Sequence, residues 1–251
     1  MLEKYQELCQ TLLECDYSIL TVFDYLKLNK IGRETNHPIA IVRHDVDRKP
    51  GNSLMMAELE HAMGIRSSYY FRYPYTFKPE IMRKIQDLGH EIGYHYEVLA
   101  KVKGEPKKAI QLFEQELNAM REVSDIKTIC MHGSPLSKYN NRDLWKTYDF
   151  SEYRIMGEAF NSIQGVLYFT DTGRSWDTRN NIRDKSDHFK QVAGLKRTDD
   201  LMNYIQTKRP LSLYLTIHPE RWASNTIEFY TDSIQDFTIN CGKRIISRVL
   251  K

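Results

Sequence analysis

Four of the eight histidines in this sequence stand just past an apolar run: His44 after IAIVR, His95 after EIGY, His132 after TICM and His218 after LYLTI. Acids keep the same company. Asp45 and Asp47 sit in the segment RHDVD, Glu97 stands two residues after His95, and Asp171 follows the run at 166–170. If the first run is a strand that continues, residues two apart share a face, so Asp45 and Asp47 point one way. Two acids on one face suit a division of labour, one ligating a divalent metal and the other taking a proton. Asp, Glu and His around an open position describe a catalytic metal site better than a closed structural one, which usually uses cysteines. Each residue alone has a plainer reading: a histidine satisfied by a nearby backbone group, or a solvated loop with Asp47 capping the next element. Four histidines at the same phase of four runs make the plainer reading the weaker one.

The elements that must position these groups alternate in type. An amphipathic pattern over residues 3–28 predicts an opening helix, with Leu8, Leu12, Leu13, Ile19 and Leu20 in its apolar stripe. Short apolar runs come next at 39–42, 68–71, 91–94 and 128–131, and later at 154–156, 166–169 and 211–217. Helical patterns separate them at 53–63, 79–88, 106–123 and 199–207, and a last helix is expected after Ser233. Strands alternating with helices imply a parallel sheet with crossover helices, and seven candidate strands favour a closed or nearly closed barrel. In such a barrel the strands' C-terminal ends share one rim, so the four histidines would converge on one pocket. No Gly/Ser/Pro linker divides the chain, which reads as one domain over 1–251 with an N-terminal helical extension over 1–35.

Composition narrows the function classes. Of the 251 residues, 41% are hydrophobic and 27% charged, enough for a core and against disorder. With 36 Lys and Arg against 33 Asp and Glu, the net charge of +3 argues against a protein that tracks nucleic-acid phosphates. No run suggests a membrane span, and the first residues lack the basic and apolar regions of a signal peptide. Cys9, Cys15, Cys130 and Cys241 show no CxxC spacing and read as reduced thiols. The expectation is a cytoplasmic protein.

The motif order also resembles a known family. HDVD, then GHEIGYH, MHGSP, DTGRSW and LTIHP resemble the polysaccharide deacetylase (NodB-homology) domain of carbohydrate esterase family 4. The segment Gly89 to His95 is the most telling, being similar to the family's GHEIGNH, and the resemblance spans residues 39–222. It implies a distorted (β/α)7 barrel and metal-dependent hydrolysis of an N-acetyl group. By the same resemblance Asp45 corresponds to the general base, Asp47 and His95 to metal ligands, and His218 to the general acid. Asp171 falls where an aspartate tunes that histidine, and Trp176 where a tryptophan lines the substrate pocket.

The sequence departs from the family pattern in three places. Val46 separates two aspartates that are usually adjacent. The second metal histidine, due four residues after His95, is replaced by Leu99, and an arginine-proline motif is replaced by MHGSP. His132, which ends an adjacent strand, is the first candidate for the third ligand, with Glu97 second and His44 third. Arg43 or Arg174 could stand in for the arginine that orients the base. A backbone N–H near Gly133 and Ser134 is the candidate oxyanion donor, and His44 and Trp176 join these two as candidate substrate contacts. The implied cofactor is a divalent metal, with zinc expected, and the implied partner an acetylated amino sugar or sugar conjugate such as a surface-polysaccharide precursor. Two alternatives stay open: a hydrolase of a non-sugar amide on the same fold, and a non-catalytic glycan-binding protein.

Overall fold

The computed structural model describes residues 2–32, 37–134, 137–177, 188–190 and 192–222. Eight parallel strands form one curled sheet. They are β1 (Ser18–Leu20), β2 (Ile39–Val46), β3 (Ser68–Phe71), β4 (Glu91–Tyr96), β5 (Thr128–Met131), β6 (Gly157–Glu158), β7 (Leu167–Thr170) and β8 (Ser212–Ile217). Seven of them run in the order β6-β5-β4-β3-β2-β8-β7, and β1 pairs with β2 beside this path. Among the described residues β6 and β7 do not pair, so the sheet is a distorted barrel left open between its edge strands.

Helices α1 (Leu2–Glu14), α2 (Val22–Lys30), α3 (Pro50–Ala62), α4 (Pro79–Asp87), α5 (Val98–Lys101), α6 (Pro106–Arg121) and α7 (Thr198–Lys208) complete the fold. Proline begins α3, α4 and α6, where its fixed φ suits a first turn and its missing N–H costs no helical bond. The single opening helix expected over 3–28 is instead two helices flanking β1. Asp16, at φ +60°, stops α1, and Thr21 caps α2 by accepting the Asp24 N–H at 2.9 Å. The stretch is therefore no helical appendage, because β1 adds a strand to the sheet. The strand expected at 154–156 falls at Gly157–Glu158, after a 3₁₀ turn at Phe150–Tyr153. The helix expected after Ser233 lies outside the described residues.

Strand alternation decides which residues meet inside. Asp45 pairs in register with Tyr70, Tyr70 with Gly93, and His95 with Cys130. The interior face of the sheet therefore carries Arg43, Asp45, Tyr70, Gly93, His95 and Cys130. Gly93 is required there: a Cβ would sit 2.3 Å from the Tyr70 ring, which lies across it. Below the rim the interior is closed by aromatic rings, with the Arg43 guanidinium 4.5 Å from the Phe160 ring centre and 5.2 Å from that of Tyr214.

Candidate metal centre

The site is built where β2, β4, β5, β7 and β8 end. Arg43, wholly buried, places Nε 3.0 Å from Asp45 Oδ1 and donates from Nη2 to Oδ2 at 3.1 Å. Its Nη1 donates to the Tyr214 hydroxyl at 2.7 Å. This fork fixes the Asp45 carboxylate in plane and orientation. Arg174 is elsewhere, with Nη1 3.5 Å from the Arg221 carbonyl.

Two residues further along, Asp47 lies between two imidazoles. Its Oδ1 is 3.3 Å from His95 Nε2 and 3.5 Å from His132 Nε2. Each ring is oriented through its other nitrogen: His95 Nδ1 donates to the Cys130 carbonyl at 3.0 Å, and His132 Nδ1 to Glu97 Oε2 at 2.8 Å. With those protons committed, loss of the second proton would leave each ring an Nε2 lone pair facing Asp47. The Glu97 carboxylate takes two further bonds from Arg72 Nη2, at 2.8 and 3.0 Å. Glu97 thus stands behind His132, the arrangement of a carboxylate that orients a metal-binding histidine.

These donors fit a divalent ion. Asp47 Oδ1 is buried and takes no hydrogen bond from any described residue. Oxygen and nitrogen ligands of tetrahedral zinc, each about 2.0–2.2 Å from the ion, stand roughly 3.3–3.5 Å apart, which matches both spacings around Asp47. Burial works to raise the Asp47 pKa, but the imidazoles of His132 and His95 outweigh it and hold the group well below the usual carboxylate range. Burial likewise works to lower His95, and the carboxylates of Asp45 and Asp47 push it up. A cation between these groups would replace the protons they otherwise compete for. Asp45, His95 and Cys130 also bring ligand atoms within 4.8 Å of one another. There the Arg43 guanidinium already neutralises Asp45, so that trio is the poorer cation site.

His218 follows β8 and forms a pair with Asp171. Its Nδ1 donates to Asp171 Oδ1 at 2.6 Å, and its backbone N–H to Oδ2 at 3.1 Å. Arg221 Nη1 and the Trp222 indole N–H donate to the same carboxylate, both at 2.9 Å. Burial and the Arg221 charge lower the His218 pKa, but Asp171 overrides them and pushes it up to about 9. Burial would raise Asp171, yet Arg221 and His218 bring it down to about 2. His218 is close enough for its charge to act on Asp47.

The structure thus brings Asp45, Asp47, His95, His132, Glu97, His218 and Asp171 to one rim. Ser134 joins them, its hydroxyl donating to Glu97 Oε2 at 3.2 Å, and its φ of +39° turns the chain sharply after Gly133. His44 is not among them. It points to the opposite face of β2, where Nε2 lies 2.8 Å from Glu60 Oε1 and the ring stacks on Tyr69 at 4.2 Å. It is therefore neither placed to bind a metal with Asp47 nor to touch a substrate in the barrel. Trp176 is also buried, its indole N–H donating to Thr198 Oγ1 at 3.2 Å, on the outer side of Asp171. Leu99 is buried, behind the site in α5. Sequence reasoning missed Arg72, Arg221, Trp222 and Glu60. Arg72 had a signal, since it directly follows β3 in the same phase as Tyr70.

No family model matches the sequence, and no curated protein matches it. The fold is similar to solved structures. One is a mutant, with restored enzymatic activity, of a carbohydrate esterase family 4 pseudoenzyme from Bacillus anthracis, at 11% identity and TM-score 0.48 over 82% of this chain and 65% of that one. This chain spans just under two thirds of that protein's length. A second is a family 4 carbohydrate esterase from Streptococcus mutans, at 10% identity and TM-score 0.45 over 77% and 90% of the two chains. A third is the catalytic domain of a peptidoglycan N-acetylglucosamine deacetylase from Eubacterium rectale, at 10% identity and TM-score 0.48 over 83% and 87%.

Proposed function

We propose that this chain is a metal-dependent amide hydrolase that removes the N-acetyl group from an acetamido sugar or sugar conjugate. The observation that carries the reading is the Asp47 oxygen, left without a hydrogen bond between two imidazole nitrogens, beside an Asp45 gripped by Arg43. Asp47, His95 and His132 would hold a divalent ion, with zinc favoured by two imidazoles and one carboxylate. When bound, that ion supplies Lewis-acid polarisation of the acyl carbonyl and a lowered pKa for water.

The protein's own groups divide the remaining work. Asp45 accepts the proton of the attacking water, and Arg43 keeps its carboxylate aimed while the charge changes. A backbone N–H near Gly133 and Ser134 would stabilise the developing oxyanion. His218, protonated at neutral pH because Asp171 raises its pKa, holds a proton at Nε2 for the departing amine. Asp171 keeps the ring in that tautomer by accepting from Nδ1. The products are acetate and a free amino sugar. A non-catalytic glycan-binding role would leave this set of proton donor, proton acceptor and ligands without a use.

Acetate release from a panel of acetamido sugars and sugar phosphates tests the reading. Zinc-loaded protein should release acetate, chelation should stop it, and returned zinc should restore it. Equal release by the Asp45→Asn variant, or none from any acetamido compound by the loaded protein, would overturn it.

A further inference from the structure

A second cavity, of about 260 Å³, opens on the outer side of Asp171. Five of its lining residues are cationic: Lys4, Arg174, Lys196, Arg197 and Arg221, against the one carboxylate of Asp171. Lys4 is shared with Glu7 and with Asp199 at 3.0 Å, and Arg221 is held by Asp171 at 2.9 Å. Two indoles, Trp176 and Trp222, supply the apolar wall, their ring centres 6.4 Å apart.

The cavity lies on the reactive rim. Asp171 follows β7, Arg221 and Trp222 follow β8, and α7 begins at Thr198, so a helix that precedes a parallel strand brings its N-terminus to the end where that strand finishes. One carboxylate separates the two sites: Asp171 accepts from His218 Nδ1 and from the Trp222 indole, and it also forms part of the cavity wall.

We infer that this cavity binds a phosphate or diphosphate group carried by the substrate on its amine side, with Trp176 and Trp222 covering the adjoining ring. Charge and shape both favour phosphate. A single carboxylate needs one arginine fork, whereas a phosphate or diphosphate spreads charge over several oxygens that Lys196 and Arg197, with Arg174 beside them, can meet together. The volume is below the usual range of about 300–1,000 Å³ for a whole small-molecule site, as suits one anionic part of a larger ligand. The position next to His218 puts it on the side of the departing amine. The identity of the ligand as substrate rests on the deacetylase reading, whereas the binding of phosphate does not.

Tryptophan fluorescence reads the cavity directly, since Trp176 and Trp222 line it and only Trp145 stands elsewhere. Inorganic pyrophosphate titrated into the protein should change the emission saturably, and sodium chloride at equal ionic strength should not. The Lys196→Gln/Arg197→Gln double variant, its fold checked by circular dichroism, should weaken half-saturation by tenfold or more. The Asp47→Ala variant should bind pyrophosphate as the parent does. Equal binding by the double variant, loss of binding in Asp47→Ala, or a response reproduced by chloride would each overturn the proposal. A second arm compares acetate release from an acetamido sugar with that from its phosphate ester. The ester should be preferred by tenfold or more in kcat/KM, and the double variant should lose that preference. Pyrophosphate binding without acetate release from any compound would leave the anion site standing and remove the deacetylase reading. Acetate release with no preference for the ester would remove the substrate assignment alone.

Discussion

Arg43 grips Asp45 from two positions earlier on the same strand, meeting both carboxylate oxygens at 3.0 and 3.1 Å. A same-strand partner is rigid, because the separation between inward-facing residues i and i+2 is set by the backbone itself. Arg43→Met should lower kcat by at least about 100-fold, the low end of what a positioned acid or base contributes. It should also destabilise the fold by on the order of 3–5 kcal/mol, since it leaves a buried carboxylate unpaired. The Arg43→Met/Asp45→Asn double variant should regain much of that stability in a denaturant titration and none of the activity.

The ligand and proton-acceptor roles separate in a second pair of variants. Asp47→Ala should abolish tight zinc binding and activity together, whereas Asp45→Asn should keep zinc and lose turnover. Elemental analysis alongside acetate release checks both, and the reverse pattern would exchange the two roles.

His132 and Glu97 make a third comparison. His132 turns Nε2 toward Asp47, while Glu97 holds His132 from behind. His132→Ala should cost more zinc affinity than Glu97→Gln, whose loss should stay near the 10–100-fold typical of a residue that orients a ligand. Competition against a chelator of known affinity measures both. An empty Glu97→Gln site beside a filled His132→Ala site would make Glu97 the ligand.

The His218–Asp171 pair sets the alkaline limb of the pH profile. A general acid must be protonated, so kcat/KM should fall as pH rises through about 9, the value to which Asp171 lifts His218. In Asp171→Asn the raising carboxylate is gone while burial and Arg221 still lower the ring, so the limb should move to lower pH, toward or below 6.5. Glu220, beside His218, opposes part of that shift by favouring the imidazolium. An unmoved limb would show that another group is the acid.

Strand alternation explains how much of the site was legible in the sequence. Asp45, Asp47, His95, His132 and His218 could be placed on one rim because each follows an apolar run and the runs became parallel strands. The same rule excluded His44: if 45 and 47 face inward, 44 faces outward, and counting its strand end as equivalent to the others overlooked that parity. β1 was hidden because a three-residue strand between two amphipathic helices leaves the apolar spacing nearly continuous. The signals that could have exposed it are local, Asp16 as a stop and Thr21 with Asp24 as a start. Glu60 lies on the buried stripe of α3 with Ser53, Met56 and Ala57, and an acid in that phase calls for buried partners. The pairing of Arg72 with Glu97 joins two strand ends whose spacing only the fold fixes.

The outward half of β2 has a bearing on the inward half. Glu60, wholly buried, accepts from Ser67 at 2.6 Å and Tyr69 at 2.7 Å, also meets the Tyr5 hydroxyl, and holds His44 at 2.8 Å. Burial would raise its pKa, but His44 and His90 bring it down to about 2. A strand that slips by one residue turns every side chain to the other face. For β2, such a slip would carry both aspartates out of the barrel and bring His44 and Val46 in. The Glu60 network forbids the shift by anchoring His44 on the helix side, so it works as a registration pin. The acid on the far face of the sheet thereby dictates which acids face the substrate.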